Sequence, residues 1–277
     1  MPDGDRKRFI TQTFNTVACG YDNPALRFFQ LTAAQLPQCF SFHGSEHVLD
    51  AATGTGAAAL NLAAALPQGN VTAVDMSEGM LAQAKDKAQH NNIQNIEFSL
   101  MDIENLAFSE NTFDHINCSF GMFFLEDMEG LIKHFVEKLK PGGKFVSCCF
   151  TLDSFQPNAN LFYERIEGYG VEIPKDMGFK RLADEEKSTA LYETANLQNI
   201  KTHRINVSFS HQNAEEWWDV IWFAGFRGFV EQLDESSLIQ FKQEHLKEIA
   251  ELSTETGIPF KVEVIFTIGE KSKYEEK

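Results

Sequence analysis

Positive charge is scarce in this sequence: 24 lysines and arginines stand against 40 aspartates and glutamates, giving a net charge of −16. Phosphate backbones and anionic lipid surfaces repel such a chain, which argues against nucleic acid or membrane as its main partner. The one dense basic cluster, Arg6-Lys7-Arg8, is short and reads as a solvated N-terminal arm. No apolar run approaches the ~18 residues that a membrane-spanning helix needs. The opening residues, MPDGDRKRFITQ, lack the apolar stretch of a signal peptide. The expectation is a soluble, cytoplasmic protein. The five cysteines (Cys19, Cys39, Cys118, Cys148 and Cys149) show no CxxC or CxxxH spacing and read as small core hydrophobes in a reducing compartment. No histidine has a partner at metal-ligand spacing, so no metal site is expected. His43 and His134 read as surface or packing residues.

Apolar residues, by contrast, make up 43% of the chain, enough to build a sizeable core. From residue 47 onward, short apolar runs alternate with amphipathic stretches. The runs at 47–51, 71–76, 96–102, 113–120 and 144–150 read as strands. Between them, 56–66, 77–91 and 128–139 read as helices. Strands apolar throughout and separated by helices imply a parallel sheet covered on both faces. Lys140-Pro141-Gly142-Gly143 reads as the stop after the last of these helices. Residues 9–38 read as helical. The second half is less regular: 151–187 as an excursion, a helix at 188–196, a strand at 200–210, two helices within 213–256 and a last strand at 258–270. Trp218, Trp222, Phe226 and Phe229 fall on one face of a helix around 217–229, a core stripe or the roof of a pocket.

The chemistry concentrates in VLDAATGTGAAAL, residues 48–60, where a strand ends on Asp50 and Gly54 and Gly56 follow. Glycines let a ligand approach the backbone, and the following helix presents free N–H groups. Both a dinucleotide and S-adenosylmethionine (SAM) suit such a loop. A Walker-type phosphate loop does not fit, because no Gly-Lys-Ser/Thr follows. Two acids narrow the choice. Asp50 suits an ammonium group and is an awkward neighbour for a pyrophosphate. Asp75, at the tip of the second strand, is placed to accept from ribose hydroxyls. An adenosine ligand without phosphates fits a pocket edged by Asp50, Asp75 and Asp102 better than NAD does. An NAD(P)-dependent oxidoreductase also needs a catalytic arrangement such as YxxxK, which the chain lacks.

VLDAATGTG, VTAVDMSEGMLAQAK, FSLMDIENLAF and FDHINCSFGMFFLEDMEGLIKHFVEKLKPGGKF, in that order, with FNTVACGYD more loosely, resemble the class I SAM-dependent methyltransferases. The branch holding the ubiquinone/menaquinone C-methyltransferases is the most similar. The resemblance covers about residues 9–150. It implies a Rossmann-like α/β fold: a seven-stranded, mostly parallel sheet with helices on both faces, an antiparallel last strand and helical insertions forming a lid. It implies one methyltransferase domain over 1–277, with a SAM-binding core at 40–150 and substrate-side insertions at 151–187 and 211–257.

By the same resemblance, Asp50, Gly54 and Gly56, with Ala51 and Thr53 of that loop, line the methionine end of SAM. Asp75 holds the ribose and Met76 lies against the adenine. Asp102 bonds the adenine amino group beside Ile103. Ser119 and Phe120 close over the methionine moiety, and Tyr21 lies over the cofactor. After Tyr21-Asp22 the quinone enzymes carry an asparagine- and histidine-containing stretch where this chain has NPALRFFQLTAAQ. Cofactor and fold therefore follow from the resemblance, while the acceptor is expected to be small and apolar or aromatic. No general base is assigned, because a sulfonium leaving group needs alignment more than proton removal. An NAD(P)-dependent oxidoreductase and a non-catalytic SAM-binding protein are the alternatives.

This reading predicts that SAM or its product S-adenosylhomocysteine raises the melting temperature while NAD(P) leaves it unchanged. A thermal scan in which neither SAM nor the product shifts the midpoint contradicts it.

Overall fold

The computed structural model describes residues 3–174 and 177–274. The chain opens with helices α1 (Asp3–Val17) and α2 (Phe28–Ala33), joined through short 3-10 turns. Then come β1 (His47–Ala51), α3 (Ala57–Ala64), β2 (Asn70–Asp75), α4 (Glu78–His90), β3 (Ile96–Leu100), β4 (Phe113–Ser119), α5 (Met128–Lys138) and β5 (Leu139–Phe150). The second half holds α6 (Asn158–Gly168), α7 (Glu185–Glu193), β6 (Gln198–Asn206), β7 (Phe209–His211), α8 (Ala214–Phe223), α9 (Arg227–Val230), α10 (Glu235–Ala250), β8 (Ile258–Phe260) and β9 (Glu263–Glu270).

Seven strands form one sheet in the order β3-β2-β1-β4-β5-β9-β6. The first five are parallel, and β9 runs antiparallel between β5 and β6. The central strands β1, β2, β4 and β9 are buried on both faces, as continuous apolar runs require, while the edge strands β3 and β6 are partly exposed. Alternate residues serve opposite cores: Val48 packs with Phe28, Leu62 and Phe162 on one side, Leu49 with Ile132, Phe135 and Tyr192 on the other. Cys148 and Cys149 divide in the same way, each 2% exposed, as core hydrophobes. All five cysteines are free thiols.

Three local departures from the sequence reading have physical causes. Lys140-Pro141-Gly142-Gly143 does not precede the fifth strand but bulges within it. Leu139 already pairs with Phe113, and pairing resumes at Lys144 and His115. Gly142 sits at φ +79°, and a Cβ on Gly143 would stand 2.6 Å from the Asp114 carbonyl. The strands expected at 200–210 and 258–270 are each broken. At Val207-Ser208 and Lys261-Val262 the paired chains leave the main sheet together, the Ser208 hydroxyl accepting from the Val262 N–H at 2.9 Å. They re-pair beyond it as β7 and β8, a small separate sheet. Pro259, without an N–H, is tolerated in such a two-stranded edge. The aromatic stripe expected on one helix is also interrupted. Helix α8 ends at Phe223, and Ala224 is extended at φ −130° and ψ −160°. Phe226 and Phe229 therefore lie on a separate piece of chain. Trp217, Trp218 and Phe226 are buried, so the cluster is core rather than roof.

Three histidines are locked in this core. Burial pushes His115, His211 and His245 each down to about 4. The Trp217 indole donates to His245 Nε2 at 2.8 Å, which places the ring proton on Nδ1. Unfolded, these rings titrate near ~6.5. Between pH ~6.5 and 4 the unfolded chain therefore takes up protons that the folded chain refuses. Their contribution to stability is present above ~6.5 and is lost as pH falls through that window. Asp50, pushed up to about 6 by burial, works the other way and loses its contribution as pH rises through 6. Three histidines outweigh one aspartate, so the urea midpoint should fall between pH 7 and 5. His245→Gln should flatten part of that slope, and a midpoint constant with pH would contradict the assignment.

Candidate active site

A parallel sheet gathers the C-terminal ends of its strands at one edge. Where the strand order reverses, the loops diverge and leave a crevice. Here that point lies between β1 and β4. The loops after β1, β2, β3 and β4 open there into a pocket.

Asp50 sits at the centre, 1% exposed. The β1–β4 register sets Asn117 beside it, and the Asn117 amide donates to Asp50 at 2.6 Å. The Thr53 hydroxyl donates to the other oxygen at 2.5 Å. Burial still dominates and lifts the carboxyl to about 6, against the pull of these two donors. Ser119 in turn donates to the Asn117 carbonyl oxygen at 3.0 Å. Asn117 escaped the sequence reading; a polar residue inside FDHINCSF was the available signal.

Asp75 ties two loops. One oxygen accepts from the Gly54 N–H at 2.8 Å and the other from the Ser77 N–H at 2.9 Å. Burial raises this carboxyl, while those N–H groups pull it back. A carboxylate offers about four lone-pair sites, so acceptor capacity remains for a ligand. Gly54 and Gly56 differ in purpose. Gly54, at φ +55°, has open space where a side chain would stand. Gly56, at φ +84°, would bring a Cβ within 2.9 Å of the Ala84 Cβ, so it serves the packing of α3 on α4. Ala51 is fully buried in β1. Of the twelve expected residues, Ala51 and Gly56 stand behind the pocket, while Tyr21, Asp50, Thr53, Gly54, Asp75, Met76, Asp102, Ile103, Ser119 and Phe120 line it.

The expected solvated arm is instead a wall. On α1, Lys7, Ile10 and Phe14 follow at i, i+3 and i+7 and face the pocket, with Arg6 beside them. The Lys7 ammonium meets Asp102 at 2.8 Å and Glu104 at 2.5 Å. Burial opposes the charge on Asp102, yet the Lys7 hydrogen bond and the Glu104 N–H hold the carboxyl below its usual value. Arg6 reaches Glu126 at 3.6 Å, and only Arg8 is well exposed. Asn15 anchors the far end of the helix, accepting from the Ser77 hydroxyl and the Gly79 N–H.

Aromatic rings line the rest. Tyr21 stacks on Phe29 at 4.9 Å, Phe29 meets Phe120 edge-on at 5.2 Å, and Phe14 meets Phe124 edge-on at 5.3 Å. Burial raises the Tyr21 hydroxyl, with Asp75 and Asp22 adding to the shift, so it stays protonated. Ala52 and Phe120 both adopt left-handed backbone, φ +58° and +59°. Such strain at non-glycine residues gathers at functional sites. No part of 151–187 or 211–257 that is described lines this pocket. Phe155 from the first of these segments instead backs Phe28 and Phe150, and Phe226 from the second backs Phe155. His43 is exposed, and His134 accepts from the Leu106 N–H at 3.2 Å, a packing role.

The two glycines separate stability from ligand approach. Gly56→Val should cost about 2 kcal/mol or more in urea unfolding, from the contact and the left-handed backbone. Gly54→Val should cost about half as much, having strain without the contact. Equal losses at both positions would contradict the distinction.

A methyltransferase-domain family model matches residues 48–143, which span the loops just described. The aklanonic acid methyltransferase DauC of Streptomyces sp. strain C5 is 30% identical over 158 residues, covering 56% of this chain and 72% of its own. The ubiquinone/menaquinone biosynthesis C-methyltransferase UbiE of Cronobacter sakazakii is 27% identical over 214 residues, covering 71% of this chain and 85% of its own. Among solved structures, the YcgJ protein of Bacillus subtilis superposes with TM-score 0.59 at 18% identity, covering 88% of this chain and 100% of that one. A Haemonchus contortus phosphoethanolamine N-methyltransferase 2 with bound SAM does so with TM-score 0.56 at 16% identity, covering 93% and 57%. These structures share the fold, and the oxidoreductase reading gains no support from the matches. Sequence kinship with DauC and the domain match lying across the crevice together make this chain a member of the class I SAM-dependent methyltransferases, acting on small molecules.

Proposed function

We propose that the pocket holds SAM with its amino-acid end at Asp50 and its adenosine end at Asp75, and that the acceptor is a small apolar or aromatic molecule. One observation carries this reading: the Asp50 and Asp75 carboxyls stand in the same pocket as the rings of Phe14, Tyr21, Phe29, Phe120 and Phe124. The chain fits the group. Gly54 leaves the space a close ligand needs, and Asp75 keeps lone pairs for ribose hydroxyls. Met76 and Ile103 line the same pocket and offer apolar surface to the adenine. Asp102, though paired with Lys7, keeps acceptor capacity toward the adenine amino group.

When bound, SAM supplies an electrophilic methyl group on a positively charged sulfur. The chain's task is then alignment and charge. Asp50 receives the ammonium, and Thr53 and Asn117 fix its orientation. Ring faces near the sulfur favour a cation, by ~0.5–2 kcal/mol for a well-placed pair. Ser119 at the end of β4 and Phe120 just after it close the methionine side, while α1 walls the pocket through Lys7, Ile10 and Phe14. Proximity and orientation of this kind can supply ~7–11 kcal/mol of barrier lowering. The acceptor class agrees with the relatives, one named for aklanonic acid and another for ubiquinone and menaquinone biosynthesis.

We read the whole chain as one methyltransferase domain with its SAM-binding core at 40–150. Segments 151–187 and 211–257 support the acceptor side from behind, through Phe155 and Phe226. A net charge of −16 supports a cytoplasmic enzyme acting on free small molecules rather than nucleic acid. No helix among the described residues is long and apolar enough to cross a membrane.

With the Asp50 carboxyl titrating at about 6, a cationic donor must displace its proton in acid. Calorimetric Kd for SAM should be flat from pH 7.5 to about 6.5, then rise toward ~tenfold per pH unit below 6. Asp50→Asn should weaken binding at pH 7.5 by ~tenfold or more and remove that rise. A wild-type Kd unchanged between pH 7 and 5 would take the ammonium away from Asp50.

A further inference from the structure

A hydroxyl inside the pocket has nothing to bond. Thr32, on α2, is 1% exposed, and its Oγ1 has no hydrogen-bond partner among the described residues. A threonine in a helix usually bonds back to a carbonyl one turn earlier. Threonines 11, 13 and 16 on α1 do this, each donating to the carbonyl four residues before. Thr32 does not; it lines the pocket beside Phe29 and Ala33 of its own helix. Leaving such a group unsatisfied in the interior is costly, so a buried hydroxyl facing a cavity marks where a ligand's polar atom goes.

The surroundings say which atom. Helix α2 packs on α3. Ala57 and Ala58, the first residues of α3, line the same pocket, and the cap residue Gly56 brings no side chain to their N–H groups. Helix N-termini attract negative charge. Asp50 stands beside this same first turn, taking the Ala59 N–H, and can accept a cation. A hydroxyl and the first turn of a helix, gathered beside a buried carboxyl, offer donors and an acceptor close together, suited to a ligand carrying both charges at one end.

We propose that Thr32 Oγ1 donates a hydrogen bond to the α-carboxylate of the methyl donor, beside the first turn of α3. This rests on the placement of the donor's amino-acid end proposed above. Thr32 is thus a positioning residue: it fixes the rotation of the amino-acid end about Asp50, and through it the direction of the sulfur–methyl bond.

The test uses the intact protein with three probes: SAM, S-adenosylhomocysteine and decarboxylated SAM, which lacks only the carboxylate. Thr32→Val keeps the shape and removes the hydroxyl. It should weaken SAM and S-adenosylhomocysteine by ~tenfold and leave decarboxylated SAM within about twofold of wild type. Thr32→Ser should bind all three as wild type does. Because the hydroxyl bonds nothing in the protein, the ligand-free melting temperature of Thr32→Val should be equal or higher. Unchanged SAM affinity in Thr32→Val overturns the proposal. So does an equal loss for decarboxylated SAM, or a ligand-free melting temperature lowered by several degrees. A wild-type protein that binds none of the three overturns the underlying placement instead, and this assignment with it.

Discussion

A carboxyl group buried at the end of a central strand must be given hydrogen bonds or be neutralised. Asp50 is only 1% exposed, and isolated charge in such surroundings is expensive. The neighbouring strand answers with Asn117, held opposite by parallel register, and the following loop answers with Thr53. Ser119 then orients Asn117, so the loop after β4 is tied to the loop after β1 through one acid. The donors do not fully offset burial, and the carboxyl stays at about 6, ready to be ionised by a cation. The site is thus completed electrostatically by its ligand.

Asp75 does comparable work through its own chain. It fastens the glycine loop to the start of α4 by two backbone N–H groups. Asn15 of α1 meets α4 at the same place, so the pocket's floor and its outer wall share an anchor. Asp22 adds a third tie, accepting from Thr55 at 3.0 Å and pairing with Lys87 at 2.7 Å. These are charge-assisted contacts at loop ends, where apolar burial is small and directional bonds decide position.

Much of this was legible in the sequence because the central strands are buried on both faces. They must be apolar throughout, and β1 falls on residues 47–51, as its run indicates. The acids at strand ends were legible for the complementary reason: a charge at the end of an apolar run stands out. What stayed hidden depends on contacts distant in the chain. Arg6 and Lys7 looked solvated because their partners, Glu126, Asp102 and Glu104, lie about a hundred residues away. The break after Phe223 was partly announced by Gly225, a poor helix former, and the split near Pro259 by the proline itself. Thr32 gave no signal, since an isolated threonine in an apolar helix is unremarkable until its surroundings are known.

The left-handed turns at Ala52 and Phe120 bear on how this chain can drift in sequence. A Cβ on Gly121 would stand 2.7 Å from the Ala52 Cβ, so the two loops touch at their smallest residues. Ala52 itself stands at φ +58°, where glycine or asparagine is the inexpensive replacement. Growth at 121 therefore demands shrinkage at 52, and shrinkage at 52 has one step available. The dependence runs one way: position 52 can become glycine alone, whereas homologues that keep this loop crossing and carry a side chain at 121 should carry glycine at 52.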